Sequence, residues 1–151
     1  MAVDWTPELT INDELLDLQH VELFRRLEEA EDALKGPREA LDAAVSVFAD
    51  SLMTHIALEE RVMDDLLYPE RVRHKSAHEL FVADFEQMRA ELRAKGPTPA
   101  VGNWVRRRIP EWLKFHIRVN DQPFAAWLQR RRDVAEKPQR VRKPEGGKRS
   151  S

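Results

Sequence analysis

The chain has 151 residues, no cysteine, 34% charged residues and 7% aromatic ones. That length suits one compact domain, and the lack of cysteine excludes disulfides, thiolate metal sites and cysteine nucleophiles. No apolar run approaches the ~20 residues that span a bilayer, and the N-terminus lacks a secretory signal, so a cytoplasmic protein without membrane contact is expected.

In chain order, the punctuation predicts four helices. Asn12 caps the first, with Asp13 and Glu14 in its first turn, where acidic residues suit the helix dipole. Gly36-Pro37 ends it and opens the second, glycine at C′ and proline at N1. Tyr68-Pro69 divides the second helix from the third, and Gly96-Pro97-Thr98-Pro99 divides the third from the fourth. No stretch alternates with period two, so no strand is expected. Short connections between long helices make neighbours antiparallel, which gives an all-α, up-down-up-down four-helix bundle.

The last 22 residues differ from the rest. Residues 130–151 hold nine Lys or Arg against Asp133, Glu136 and Glu145. The end is therefore at about +6 and the first 129 residues at about −8, within a net charge of −2. Pro138, Pro144, Gly146 and Gly147 fall in this stretch, and no apolar residue follows Val141. The division expected is a bundle over residues 1–133 and a basic, disordered tail over residues 134–151, whose protein partner, if it has one, is unknown. Its basic residues lack interleaved aromatics, which argues against nucleic acid.

Apolar stripes fit the four helices. Leu16, Leu23, Phe24, Leu27 and Leu34 mark the first, and Leu41, Val45, Phe48, Leu52, Met63 and Leu66 the second. Phe81, Phe85, Met88 and Leu92 mark the third, and Val105, Ile109, Trp112, Leu113 and Val119 the fourth. These spacings of three and four are those of helices with one buried face.

Polar residues interrupt the stripes where the core should be. His20 lies between Leu16 and Leu23, His55 three residues after Leu52, and Glu59 between His55 and Met63. His74 and His78 run backwards from Phe81, and His116 lies between Leu113 and Val119. With about three positions in seven facing inward, chance would put all five histidines there only roughly 1–2% of the time. One buried histidine ordinarily bonds a carbonyl or carboxylate. Five converging on a buried Glu59, with no lysine or arginine on the stripes beside it, call for a bound cation.

Spacing supports a metal site. His55 and Glu59 are four apart, as are His74 and His78, so each pair points one way. His116 and Asp121 are five apart, ~140° out of phase on an ideal helix. Pro123 resolves this, because its ring clashes with the carbonyl of Val119 and disfavours helical geometry at Gln122. An unwound or bulged turn near residues 120–123 is expected to swing Asp121 inward. Pro110 marks a second kink, or a late start of the main fourth helix. Five imidazoles and two carboxylates suit two ions with the carboxylates bridging. The donor set admits iron, manganese, zinc, nickel or copper.

Together these segments resemble the hemerythrin family, in its bacterial single-domain form. The resemblance rests on Trp5 and Asp17-Leu18-Gln19-His20, on His55-Ile56-Ala57-Leu58-Glu59-Glu60 with Met63, on Tyr68-Pro69, on His74-Lys75-Ser76-Ala77-His78 with Phe81, and on Trp112-Leu113-Lys114-Phe115-His116 with Asp121. It covers about residues 5–128. Asn12, Asp13, Pro110 and the basic tail depart from the family pattern, but no ligand position is missing.

The resemblance implies a four-helix bundle holding two non-heme irons. His74, His78 and His116 would hold one iron and His20 and His55 the other, with Glu59, Asp121 and an oxo or hydroxo group as bridges. The vacancy on the second iron is where the family binds dioxygen, with Leu23, Ile56, Trp112 and Leu113 as the implied pocket. The implied function is reversible dioxygen binding, for oxygen storage, delivery or sensing, without an enzymatic step. A di-iron redox enzyme or sensor acting on nitric oxide or hydrogen peroxide is the alternative. Oxygen-activating bundles pair Glu with Glu-x-x-His. This chain has no Glu-x-x-His, and Asp17-x-x-His20 is its nearest approach. Asp17 either orients His20 or lies outside the metal shell.

Overall fold

A computed structural model describes residues 5–134. Among these there are four long helical stretches and no strand. After a 3-10 turn at Pro7–Leu9 come α1 (Glu14–Ala33), α2 (Arg38–Asp65) and α3 (Arg71–Lys95). The fourth stretch, α4, is helical throughout residues 99–134. The connections span only residues 34–37, 66–70 and 96–98, short enough to make sequential helices antiparallel neighbours. The tail expected over residues 134–151 lies outside the described residues, except that Val134 is still helical.

The helix ends follow local chemistry, with two corrections. Asp13, not Asn12, caps α1, accepting from the Leu16 N–H at 3.0 Å. Asn12 instead takes a left-handed φ of 59°, which asparagine tolerates because its short polar side chain bonds locally. Pro37 occupies the N-cap of α2 rather than its first turn, with ψ of 155°, so the helix begins one residue later, at Arg38. Gly96, at φ 82°, closes α3, and Thr98 caps α4 by accepting from Val101 N–H.

By length and composition alone, α2 is long and apolar enough to cross a membrane. Its inner face is already used. Leu41, Val45, Phe48, Leu52, Ile56 and Met63 are buried in the bundle core, as in the central helix of any helical protein of this size.

The form of α4 explains how Asp121 comes inward. Two π turns interrupt it, at Trp104–Arg108 and at Ile117–Asp121. In each, the N–H after the turn bonds five residues back, Ile109 to Trp104 and Gln122 to Ile117. A proline follows each closing residue, Pro110 and Pro123, and lacks the N–H that a regular ladder would use there. Seven residues at strict intervals of four are buried: Val101, Val105, Ile109, Leu113, Ile117, Asp121 and Ala125. On an ideal helix each step of four drifts by ~40°, about 240° over six steps. Two π turns, each with one extra residue, cancel about 200° of that drift. The expected bulge is therefore present, three residues earlier than the proline alone suggests, and Pro110 follows a second π turn within a continuous helix rather than marking a late start. Val119 falls on the bulge and is 45% exposed, so it is not part of the core stripe.

The segment before α1 straps the bundle at this point. Gln122 donates to the carbonyls of Glu8 and Thr10, at 3.1 and 3.2 Å, and Arg118 pairs with Glu8. Asp17 accepts from Thr10 Oγ1 at 2.6 Å and from Ile11 N–H at 3.0 Å, so it holds the strap and lies outside the cluster of histidines.

Replacing Asp13 by Ala should lower stability to urea by about 1 kcal/mol, whereas Asn12→Gly should change it by only a few tenths. The opposite ranking would return the cap to Asn12.

Candidate metal centre

Among the described residues, the buried polar side chains are His20, His55, Glu59, His74, His78, His116 and Asp121. Six of these are the residues that interrupt the stripes, and the seventh is Asp121, expected inward only through the bulge before Pro123. Each helix contributes: α1 gives His20, α2 gives His55 and Glu59, α3 gives His74 and His78, and α4 gives His116 and Asp121. They lie between two apolar clusters. The larger contains Leu23, Ile56, Leu113 and Ile117, and the smaller is Met63, Tyr68, Phe124 and Leu128.

The two oxygens of Asp121 face different imidazoles. Oδ1 lies 3.0 Å from His74 Nε2 and 3.1 Å from His116 Nε2. Oδ2 lies 2.9 Å from His20 Nε2 and 3.8 Å from His55 Nε2. Glu59 Oε1 stands 3.2 Å from His78 Nε2, 3.4 Å from His74 Nε2 and 3.6 Å from His55 Nε2. The ligand atoms fall into two groups, Glu59, His74, His78, His116 and Asp121 in one and His20, His55, Glu59 and Asp121 in the other. Within each group all the atoms lie within 4.8 Å of one another. Atoms bonded to one ion at ~2.1 Å are roughly 3 to 4 Å apart, so each group is compact enough for a single ion. Both carboxylates belong to both groups.

The polar atoms left over fit the same conclusion. Both oxygens of Glu59, Asp121 Oδ1 and the Nε2 atoms of His55 and His74 are buried without a hydrogen-bond partner. An uncompensated buried carboxylate is costly, and a cation bound between these atoms would satisfy them together.

Outer contacts orient three of the rings. His55 Nδ1 donates to Gln19 Oε1 at 2.8 Å, and His78 Nδ1 donates to a Glu60 carboxylate oxygen at 2.9 Å. An amide oxygen and a carboxylate oxygen both accept, so each bond uses an Nδ1 hydrogen and leaves Nε2 as the ring atom that faces the centre. Trp112 stacks on His116 with ring centroids 4.6 Å apart, and Phe81 stacks on the other side of Trp112 at 3.8 Å. Trp112 thus lies against the three-histidine group.

Gln19 and Glu60 cannot be found from stripe position, because both lie partly exposed at the edge of the buried face. The signal available is their place in the chain, each beside a ligand: Gln19 before His20 and Glu60 after Glu59.

The charges of the metal-free cluster are mutually dependent. Burial disfavours a proton on His74, but the Asp121 and Glu59 carboxylates outweigh it and raise its pKa from 6.5 to about 9. Burial works against ionised Asp121 as well, yet His116, His20 and His55 hold its carboxyl well below the ordinary range. Glu59 is also lowered: burial and Asp121 oppose its charge, and His55, His74 and His78 overcome them.

Comparison with known proteins agrees with this geometry. The profile described as the Hemerythrin HHE cation binding domain matches residues 12–128. The chain belongs to the hemerythrin family. A bacteriohemerythrin of Stenotrophomonas maltophilia (strain R551-3) is 29% identical over 124 residues, covering 80% of this chain and 78% of its own length. Bacteriohemerythrins of Pseudomonas aeruginosa (strain LESB58) and Pseudomonas paraeruginosa (strain DSM 24068 / PA7) are each 30% identical over 121 residues, covering 80% of this chain and 77% of theirs. In this hemerythrin-family chain the buried His, Glu and Asp cluster suits a di-iron site.

The raised pKa of His74 fixes the sign of two pH effects. The metal-free protein holds the full contribution of His74 to stability below pH 6.5 and loses it as pH rises through about 9. Asp121 and Glu59 act oppositely, and their contribution is lost in acid. Metal uptake must displace the His74 proton, so affinity should rise with pH toward 9, with protons released on binding. Calorimetric titration of the metal-free protein in buffers of different ionisation enthalpy measures that release. Uptake without proton release and with no pH dependence would contradict the assignment.

Proposed function

We propose that this chain binds dioxygen reversibly at a non-heme di-iron centre, for oxygen storage, delivery or sensing. The observation that carries this reading is the division of the ligands into unequal groups sharing both carboxylates, three imidazoles in one and two in the other. His74, His78 and His116 would hold one iron and His20 and His55 the other, with Glu59 and Asp121 shared between the two positions. Such a pair would supply the electrons for reversible dioxygen binding, and the two-histidine group, with one imidazole fewer, would leave room for the ligand.

The chain's own contribution is to hold the ligands and to exclude water. Leu23, Ile56 and Leu113 are 0%, 6% and 2% exposed and form the dry wall of the dioxygen pocket. Trp112 flanks that wall in this reading, and its stacking on His116 fixes that ring. Water and protons promote loss of the bound ligand and oxidation of the metal, so this apolar lining favours reversibility. The donor set points the same way, since oxygen-activating bundles use Glu pairs with Glu-x-x-His and this chain is rich in histidine instead. Binding without turnover is the reading supported here, with dioxygen as the partner.

The test is the ultraviolet-visible spectrum of purified protein, reduced without air and then exposed to it, with metal determined on the same sample. Two irons per chain and a visible band that appears with oxygen and disappears under vacuum are expected. Irons that oxidise at once and do not return would move the function to redox sensing or to peroxide and nitric oxide chemistry. Leu113→Ala should speed autoxidation severalfold while keeping two irons. An unchanged rate would remove Leu113 from the pocket. Glu59→Gln, which takes a shared carboxylate from both positions, should leave one iron or none per chain.

A further inference from the structure

The acceptors behind two of the ligands differ in charge. His55, in the two-histidine group, donates to the neutral amide of Gln19, whereas His78, in the three-histidine group, donates to the carboxylate of Glu60. The two bonds are nearly equal in length, 2.8 and 2.9 Å, and both histidines are buried, so charge is what separates them. The Nδ1 atoms of His20, His74 and His116 are buried without a hydrogen-bond partner. Within the cluster, then, one imidazole on each side is polarised from outside, one by an anion and one by a dipole.

A carboxylate accepting from Nδ1–H draws the proton toward itself and pushes electron density to Nε2. Bonds to an ionised acceptor are roughly twice as strong as neutral ones, and such outer partners raise the basicity of the ligand. A more basic imidazole stabilises a trivalent ion more than a divalent one. We propose that Glu60 and Gln19 are positioning residues that make the two metal positions unequal in redox preference. Glu60, through His78, favours the oxidised state at the three-histidine position, and Gln19 leaves the two-histidine position easier to keep reduced. This rests on the di-iron reading above and adds to it the residues that set the difference between the irons. The Glu60 side chain is 29% exposed and reaches the buried His78 ring from the edge of the core.

The test exchanges the charges in the full chain loaded with ferrous iron. Glu60→Gln and Gln19→Glu are prepared with the unsubstituted protein, and iron content and midpoint potentials are measured by spectroelectrochemistry. Outer partners of metal ligands typically change affinity by 10–100-fold, and each tenfold change in ferric over ferrous preference is about 59 mV for one electron. Glu60→Gln should retain two irons and raise one potential by about 59–118 mV, and Gln19→Glu should lower the other by a similar amount. Zinc titration of the metal-free proteins gives a second readout, with tighter binding in Gln19→Glu and weaker binding in Glu60→Gln. Two irons with unchanged potentials, or shifts of the same sign in both variants, would overturn the inference. Fewer than two irons in the unsubstituted chain would instead overturn the di-iron reading beneath it.

Discussion

The bundle is organised around two carboxylates buried without a lysine or arginine for company. Glu59 and Asp121 are fully buried, and the other buried polar side chains described are five imidazoles. Removing a charge from water costs several kcal/mol even after relaxation, and leaving it unpaired costs more. The chain meets that demand by placing imidazole nitrogens 2.9–3.8 Å from the carboxylate oxygens, and each oxygen of Asp121 has imidazoles from two different helices beside it. In the metal-free protein a proton on His74 offsets part of the negative charge. Bound cations would offset it in full, and folding and metal binding would then be aspects of one equilibrium.

Bringing Asp121 into that cluster shapes the fourth helix. Core contact at every fourth residue from Val101 to Ala125 is incompatible with a uniform α-helix, which would turn those side chains steadily away from the core. The π turns absorb the drift, and each precedes a proline that weakens the competing ladder. The second falls between His116 and Asp121 and puts residues five apart on one face. Gln122, whose N–H closes this turn, is also where the N-terminal strap is bonded. The strap in turn is held to α1 by Asp17, three residues before His20. The irregular turn is thus tied to the opposite end of the chain, and the ligands on α1 and α4 are positioned together.

Much of this is legible in the sequence because histidine and glutamate stand out where apolar residues are expected. Six of the seven cluster residues occupy inward stripe positions, Asp121 follows from the bulge that Pro123 announces, and Gly96, Tyr68-Pro69 and the stripes place the helices. What escapes notice depends on geometry finer than a periodic pattern. Asn12 and Asp13 are both good caps, and only the left-handed turn at Asn12 decides between them. Val119 keeps helical spacing from His116 but lies on the π turn, whose extra residue turns it outward. Pro123 announces a bulge without fixing where it falls, since the hydrogen bonds it disrupts begin several residues earlier. Gln19 and Glu60 lie off the stripe, and their bonds to His55 and His78 depend on how neighbouring helices pack.

The central claim is that two ions share Glu59 and Asp121. A crystal structure of the iron-loaded protein, with anomalous data collected at the iron edge, tests it most directly. Two peaks are predicted, one against His74, His78 and His116 and the other against His20 and His55, each within bonding distance of both carboxylates. A single peak, or two peaks with either carboxylate bound to one ion alone, would contradict it.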